Sequence, residues 1–285
     1  MCERRSVFIG TGSCIPAVRV PNSNFLASTF FETRGQPYDT STNPRIVQKF
    51  EEITGIAERR HVSDDLVASD IGFCAAAEAV AASGIDPETL DYVIVAHNFG
   101  DVRRENPRSD FVPSLAARVK RRLEIRNPGC VAYDLPFGCP GWLQGVIQAD
   151  YFLRSGDASR ALVVGAETLS RVSDPHDRDS MIYADGAGAA VLEARTGVTP
   201  GGILSHASRS DTLEYSHLLR METSLNPELS DSTLYLRMNG RKLYEYALTT
   251  VPGVVQTSLE KAGLTLTDVS KVLIHQANAK MDDAI

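Results

Sequence analysis

The chain has 285 residues, of which 43% are apolar, and its 29 basic and 36 acidic side chains give a formal net charge of −7. This composition is typical of a globular protein with a substantial core, and the acidic balance argues against nucleic acid as the main partner. No uncharged apolar stretch reaches the about 18 residues of a membrane span, and the N-terminus lacks the apolar region of a secretory signal, so we expect neither a membrane partner nor export.

Short β-branched runs alternate with helical patterns along the chain. Strands are predicted at 7–10, 92–97, 130–135, 161–165, 187–192 and 271–275. Helices are predicted at 66–83, 114–123, 140–154 and 241–262, and the glycines expected to cap them are Gly84, Gly156 and Gly263. Continuous apolar strands between helices indicate an α/β protein in which both faces of the sheet are covered.

One segment of the sequence resembles another that lies 179 residues further along. Residues 83–95 and 262–274 both have the pattern of a helix end, a glycine, a short polar loop and an apolar strand. Such units are common, but the ungapped match favours an internal duplication. On this interpretation the chain has a complete half at 1–200 and a partial half at 201–285, and we expect the second half to be cut short.

The five cysteines form no Cys-x-x-Cys pair, so neither a structural zinc site nor a disulfide framework is expected, and the cytoplasm is the expected compartment. Cys74 shares a helical stripe with Val67 and Ile71 and is predicted to lie in the core. No setting for chemistry is found around the other cysteines besides Cys139, namely Cys2, Cys14 and Cys130.

Cys139 lies between the strand at 130–135 and the helix at 140–154. Because proline is favoured at the first helical position, Pro140 predicts that Cys139 stands at the helix N-terminus. Free N–H groups and the helix dipole stabilise a thiolate there, as nucleophilic catalysis requires. From position alone, a small buried cysteine is an equally weighted interpretation.

His275 ends the predicted strand at 271–275. Ligands and catalytic groups collect at the carboxyl edge of an α/β sheet, so an imidazole there could act as a base or a hydrogen-bond donor near Cys139. Taken alone, His275 is better explained as a hydrogen-bonded histidine at a strand end.

Four further patterns carry less weight. Residues 10–12 lack the third glycine of a dinucleotide-binding motif, and tight packing explains the small residues at 185–190 better than phosphate binding does. The acidic stretch at 174–179 is interpreted as a solvated loop rather than a metal site. The basic run at 118–126 is interpreted as a solvated face, which could also bind an acidic carrier.

Several motifs together point to one family. They are Gly-Thr-Gly-Ser-Cys-Ile-Pro at 10–16, Thr-Gly-Ile-Ala-Glu-Arg-Arg at 54–60, Gly-Cys-Pro-Gly at 138–141, Asp-Gly-Ala-Gly-Ala-Ala-Val at 185–191, Met-Asn-Gly at 238–240 and His-Gln-Ala-Asn at 275–278. In this order and spacing, over 7–285, the chain resembles the β-ketoacyl-acyl-carrier-protein synthase III group of the thiolase-like condensing enzymes. The resemblance implies a duplicated αβαβα layered fold, in agreement with the repeat.

The resemblance also implies a function, the decarboxylating Claisen condensation that initiates fatty acid synthesis. An acyl-CoA would acylate Cys139, and malonyl-acyl-carrier protein would then lose CO₂ and attack the thioester. The resemblance implies that His275 hydrogen-bonds the enolate oxyanion. It assigns Arg178 to CoA binding, Tyr183 to the acyl pocket and Lys280 to carrier-protein docking. It implies a homodimer, with no metal and no cofactor other than the thioester substrates.

The sequence departs from the family pattern at several positions. Ile53 replaces the arginine that usually precedes Thr-Gly-Ile, Phe137 and Pro140 replace smaller residues beside the nucleophile, and the loop at 99–112 is longer than usual. A counterpart of the family's catalytic asparagine does not occur before Ile285, so we expect poor condensation by these 285 residues. Two alternatives stay open: a thiolase-like condensing enzyme of a pigment or polyketide pathway, and a non-condensing acyl-binding or dimerisation subunit.

Overall fold

The computed structural model describes residues 4–197, 201–229 and 232–285, which separate into two compact units. Within those ranges, the first unit is drawn from Met1–Val18, Arg60–Arg171 and Ala184–Leu204. The second unit is drawn from Arg19–Arg59, Val172–Tyr183 and Ser205–Ile285. These units follow packing rather than duplication, so the division into sequence halves at residue 200 stays a prediction.

The strands and helices of the described residues follow in chain order. The strands are β1 (Arg4–Cys14), β2 (Val18–Pro21), β3 (Phe31–Thr33), β4 (Gln36–Pro37), β5 (Glu58–His61), β6 (Tyr92–His97), β7 (Asp101–Val102), β8 (Ser109–Asp110), β9 (Val131–Pro136), β10 (Arg160–Thr168), β11 (Asp185–Thr196), β12 (Leu219–Thr223) and β13 (Leu234–Met238). The helices are α1 (Asn43–Thr54), α2 (Ala68–Ser83), α3 (Leu115–Arg122), α4 (Gly141–Ser155), α5 (Thr212–Tyr215), α6 (Gly240–Ala262) and α7 (Ala279–Ala284).

The first unit contains a five-stranded sheet in the order β1-β11-β10-β6-β9. Strands β10, β6 and β9 run parallel, while β11 is antiparallel to both β10 and β1. Alternate residues of one strand enter two separate cores. Val93 and Val95 pack with residues of α2 and α3, and Ile94 packs with residues of α4. Both sheet faces are therefore covered by helices, as the continuous apolar strands predicted.

Two glycines allow α2 to lie directly on β1. A Cβ atom at Gly10 would lie 2.4 Å from the carbonyl oxygen of Ala79, and one at Gly12 would lie 2.3 Å from that of Ala75. The prediction that Cys74 lies in this packed interface is wrong, because Cys74 is exposed. The buried face of α2 consists of small and aliphatic residues on other helical positions, namely Ala68, Ile71, Gly72, Ala75, Ala76, Ala79 and Val80.

The second unit contains α1, α6 and α7 together with the antiparallel hairpins β3–β4 and β12–β13. Phe30, Val47 and Met181 form a buried cluster there. Helix α6 ends at Gly263 in the left-handed conformation, with a φ of 69°, and the repeat partner Gly84 ends α2 with the same φ. A short 3₁₀ turn follows each glycine, so the paired helix ends predicted by the repeat are confirmed up to this point.

The strand predicted at 271–275 is wrong. Val272 and Leu273 are exposed, the latter by 89%, and in the described part of the chain no strand pairs with this segment. A strand is stabilised through a ladder of backbone hydrogen bonds, and these residues have no neighbouring strand to supply one. Among the helices described, none is long and apolar enough to cross a membrane.

Candidate active site

The carboxyl ends of three parallel strands meet at one edge of the sheet in the first unit. In the register of β6 with its neighbours, Ala96 lies opposite Leu135 of β9 and Gly165 of β10. Cys139 therefore follows the end of β9, Asn98 follows the end of β6, and Glu167 lies at the end of β10. Residues from separate parts of the chain are brought together at the edge where α/β proteins place their ligands.

Cys139 lies just before the first turn of α4. The helix begins at Gly141, one residue later than Pro140 predicted, and Pro140 provides no capping side chain. No acidic side chain lies in the first turn of the helix. A Cβ atom at Gly141 would lie 3.1 Å from that of Ala96, so glycine at this position lets the start of α4 approach β6 closely. This contact places Cys139 at the sheet edge.

The electrostatic surroundings of Cys139 differ from those expected at a helix N-terminus alone. The residue is exposed, yet atoms packed around its thiol desolvate it, and this burial is the main reason that the pKa of Cys139 is raised. A hydrogen bond from a backbone N–H acts in the opposite direction, and the negative charge of Glu167 raises the pKa further. Desolvation and a neighbouring carboxylate therefore outweigh the donors that favour a thiolate.

Glu167 is held in place by Asn98. Its Oε2 accepts hydrogen bonds from the backbone N–H of Asn98 at 2.7 Å and from the side-chain Nδ2 at 2.9 Å. Burial raises the pKa of Glu167, although these bonds oppose the rise. The sequence analysis missed this residue, and the one available signal was its place directly after the apolar run at 161–166.

His97 and Asp134 fix the segment that carries Asn98. The imidazole of His97 is fully buried, its Nδ1 accepts a hydrogen bond from the N–H of Gly100 at 3.0 Å, and its Nε2 lies 3.0 Å from Oδ2 of Asp134. Because Nδ1 is an acceptor, this geometry assigns the proton of the neutral ring to Nε2. Asp134 also accepts the N–H groups of Leu115 and Ala116 at 2.8 and 2.7 Å, at the N-terminus of α3.

Comparisons with known proteins match this arrangement to one family. The family model for 3-oxoacyl-(acyl-carrier-protein, ACP) synthase III matches residues 133–212. The chain is 35% identical over 284 residues to the beta-ketoacyl-acyl-carrier-protein synthase III of Chelativorans sp. (strain BNC1), covering 98% of this chain and 80% of that protein. The chain belongs to the beta-ketoacyl-acyl-carrier-protein synthase III family.

Solved structures agree with this assignment. The synthase III of Pseudomonas aeruginosa PAO1 superposes with a TM-score of 0.78 at 28% identity, covering 98% of this chain and 78% of that one. The synthase III of Aquifex aeolicus VF5 gives a TM-score of 0.78 at 30% identity, covering 98% of this chain and 79% of that one. The predicted thiolase-like α/β fold is confirmed. Synthase III enzymes are acyl-transferring condensing enzymes, and the similarities support this function in the initiation of fatty acid synthesis over the two alternatives.

The remaining synthase III site residues predicted from the sequence lie in the second unit. Arg178 begins the 3₁₀ helix Arg178–Ile182, is exposed, and places its guanidinium 5.3 Å from the ring centre of Tyr38. Tyr183 directly follows that helix and is buried. His275 is exposed in an irregular segment, and Lys280 is exposed on α7. The structure therefore describes Cys139 in one unit and these four residues in the other, and their roles stay predictions.

The interpretation of 174–179 as a solvated loop is wrong for its first carboxylate. Asp174 is fully buried and accepts hydrogen bonds from Oγ of Ser224 at 2.9 Å and from the N–H of Leu225 at 2.8 Å. The guanidinium of Arg237 lies 2.8 Å from Asp177. These contacts organise the second unit, and the described residues contain no cluster of three His, Cys, Asp or Glu side chains suited to a metal ion.

The basic run at 118–126 is also less solvated than predicted. Arg118 pairs with Asp110 at 2.8 Å, and Nζ of Lys120 donates to the carbonyl oxygen of Cys130 at 2.6 Å. Arg122 lies over the ring of Phe73, 4.0 Å from its centre. Much of this positive charge is therefore used within the first unit.

Proposed function

We propose that the chain catalyses a decarboxylating Claisen condensation between an acyl-CoA and malonyl-acyl-carrier protein, with a thioester on Cys139 as the intermediate. The position of Cys139 at the carboxyl edge of the sheet, directly before α4, carries this proposal. Support also comes from the printed names of the relatives, which are synthases of the acyl-carrier-protein type.

The first step transfers the acyl group to Cys139. The thiol loses its proton, the sulfur attacks the carbonyl carbon of the acyl-CoA, and the bond from that carbon to the sulfur of CoA breaks. CoA leaves as a thiolate, which takes up a proton. Because the charge of Glu167 raises the pKa of Cys139, the attacking thiolate forms more readily when Glu167 is neutral. The raised pKa of Glu167 increases the neutral fraction.

The second step extends the acyl group. The malonyl thioester loses CO₂, and the electron pair of the broken bond forms an enolate, whose carbon attacks the acyl thioester. Cys139 leaves as a thiolate and the 3-oxoacyl product is released. We assign His275 to hydrogen bonding with the enolate oxygen. Arg178 and Lys280 are exposed cations, as CoA phosphates and an acidic carrier protein would require, and Tyr183 is a buried wall of the acyl pocket. The proposed reaction uses no cofactor or metal.

A second copy of the chain is the proposed partner of strand β9. This strand is the last of the five and pairs with β6 on one side, while the described residues supply no neighbour on its other side. Val131 at its start is 48% exposed. An unpaired apolar edge readily adds a strand from another chain. Light scattering of the purified protein should therefore give the mass of a dimer, and Val131→Lys should shift it toward the monomer. The cytoplasmic location stays a prediction.

The test of the nucleophile is transfer of a radiolabelled acetyl group from acetyl-CoA to the protein. Wild type should retain label after denaturation, and hydroxylamine should release it, as it does for a thioester. Cys139→Ala should retain none, whereas Cys74→Ala, which removes an exposed thiol outside the site, should label normally. Equal labelling of wild type and Cys139→Ala would overturn the assignment. Circular dichroism of each variant verifies that it is folded.

A further inference from the structure

The residues of β1 that face α2 form a row of small side chains. Residues 10, 12 and 14 point to the same side of the strand, because side chains alternate along a strand. At the first two positions the helix backbone is so close that only glycine fits, with Ala79 and Ala75 respectively as the nearest residues. Each step of two residues along β1 thus moves about one turn toward the N-terminus of α2.

Cys14 is the next residue in this row and reaches the turn of α2 that contains Cys74. The two thiols are within hydrogen-bonding distance of each other. Cys14 is partly buried against the core of the first unit, whereas Cys74 is exposed. The neighbouring backbone is fixed, because the N–H of Ser13 donates to Oε2 of Glu78 at 2.7 Å, and Glu78 is one helical turn after Cys74.

We propose that Cys14 and Cys74 are a reactive thiol pair that forms a reversible disulfide by exchange with a small-molecule disulfide of the glutathione type. In the first exchange, the sulfur of Cys74 attacks glutathione disulfide and one glutathione leaves as a thiolate. In the second, the sulfur of Cys14 attacks the Cys74 sulfur of the mixed disulfide and expels the other glutathione. Two protein thiols are oxidised, and one glutathione disulfide is reduced to two glutathione molecules.

The geometry of the pair favours an intramolecular bond. A disulfide requires Cα atoms within roughly 4.4–6.8 Å, and the direct backbone contact between β1 and α2 at Gly10 and Gly12 provides such an approach. Exposure lets Cys74 meet the reagent first. The partly buried Cys14 is better placed to resolve the mixed disulfide than to start the exchange.

Charge supports the same order of events. Burial, followed by the hydrogen bond to Cys74 and the charges of Cys74 and Glu78, raises the pKa of Cys14 to about 12. Cys14 therefore remains a thiol at neutral pH while Cys74 is free. Once Cys74 is in a mixed disulfide, its charge and its hydrogen bond no longer oppose ionisation of Cys14, so the second exchange follows the first.

Tryptic cleavage separates the relevant thiols for a direct test. Cys14 lies in the peptide 6–19 and Cys74 in 61–103, whereas Cys130 and Cys139 share the peptide 127–154. The folded protein is treated with glutathione disulfide, capped with an alkylating reagent and digested without reduction. We expect 6–19 linked to 61–103, with the intact chain two hydrogens lighter, and dithiothreitol should restore both thiols.

Two variants distinguish the pair from general oxidation. In Cys14→Ser, Cys74 should accumulate as a mixed disulfide with glutathione because no resolving thiol remains. In Cys74→Ser, the peptide 6–19 should stay unmodified. The inference is overturned if the linked peptide is absent while 127–154 is modified, or if Cys74 instead forms a disulfide with a second copy of the chain.

Discussion

Replacing Asp134 by asparagine isolates the contribution of the charge that organises the site edge. The carboxylate accepts three donors: the N–H groups of Leu115 and Ala116 and the Nε2–H of His97. Asparagine has nearly the same shape but only one accepting oxygen. Placed where Oδ2 stands, that oxygen keeps the bonds to Leu115 and His97, and the amide NH₂ then faces the N–H of Ala116. The histidine cannot adapt by moving its proton, since Nδ1 already accepts from Gly100.

The expected cost follows from these contacts. A lost hydrogen bond to a charged acceptor costs about 1.5–3 kcal/mol, and removing a carboxylate from a helix N-terminus costs about 0.3–1 kcal/mol more. Asp134→Asn should therefore lower the free energy of unfolding of the first unit by roughly 2–4 kcal/mol. The exposed carboxylate Asp86 provides a matched control, because it accepts only the N–H of Glu88 and asparagine caps a turn equally well.

Urea unfolding followed by tryptophan fluorescence measures this change. Trp142, in α4, is the only tryptophan of the chain, so its emission reports the first unit. Asp134→Asn should shift the urea midpoint downward with an unchanged slope, while Asp86→Asn should leave it in place. A loss of less than about 1 kcal/mol in Asp134→Asn would refute the argument that no other donor arrangement is available.

Acid provides a second readout of the same group. Burial would raise the pKa of Asp134, but the hydrogen bonds from His97 and from the N–H groups of Ala116 and Leu115 hold it below its usual value. The unfolded chain, with a carboxyl pKa of about 3.9, then binds the proton more tightly than the folded chain. The stabilisation is present above that pH and is lost as the pH falls through the folded pKa. The difference between wild type and Asp134→Asn should therefore narrow below about pH 4.

Two further substitutions test the site and its packing. Glu167→Gln removes the negative charge that helps raise the pKa of Cys139, so iodoacetamide should alkylate Cys139 faster than in wild type at neutral pH, as measured by mass spectrometry; an unchanged or slower rate would contradict the coupling. Gly12→Ala places a Cβ atom 2.3 Å from the backbone oxygen of Ala75 and should cost about 1–3 kcal/mol in urea unfolding, whereas Gly188→Ala meets no atom within 4 Å and should cost little; equal effects would show that α2 moves away freely.

Local pattern was sufficient for most of the first unit. The apolar runs at 92–97 and 161–165 lie within strands, and Gly84 and Gly156 end helices in the left-handed conformation. These features depend on residues that are neighbours in sequence, which is why pattern alone identified them. The segment 271–275 has the same apolar character but forms no strand, because a strand also depends on a partner that its own sequence does not specify.

Cysteine placement shows where sequence pattern fails. Cys74 falls on a helical stripe with Ile71, yet the helix packs through the smaller residues beside it and Cys74 remains exposed. Its neighbour Cys14 is 60 positions earlier in the sequence. The glycines of β1 determine how closely the two elements approach, and this distance is a property of the packed pair. No periodicity within either element contains it.

The same reasoning explains why the nucleophile was located correctly but its electrostatics were not. Placing Cys139 at the start of α4 needed only the strand before it and Pro140 after it, and those residues favour a thiolate. The charge that opposes the thiolate comes from Glu167, two strands away in the sheet, and the support for Glu167 comes from Asn98 on the strand between them. Because parallel strands bring distant segments to one edge, the reactivity of Cys139 is determined jointly by all three strand ends. Substitutions at β6 and β10 should therefore change its alkylation rate even where the environment of β9 is intact.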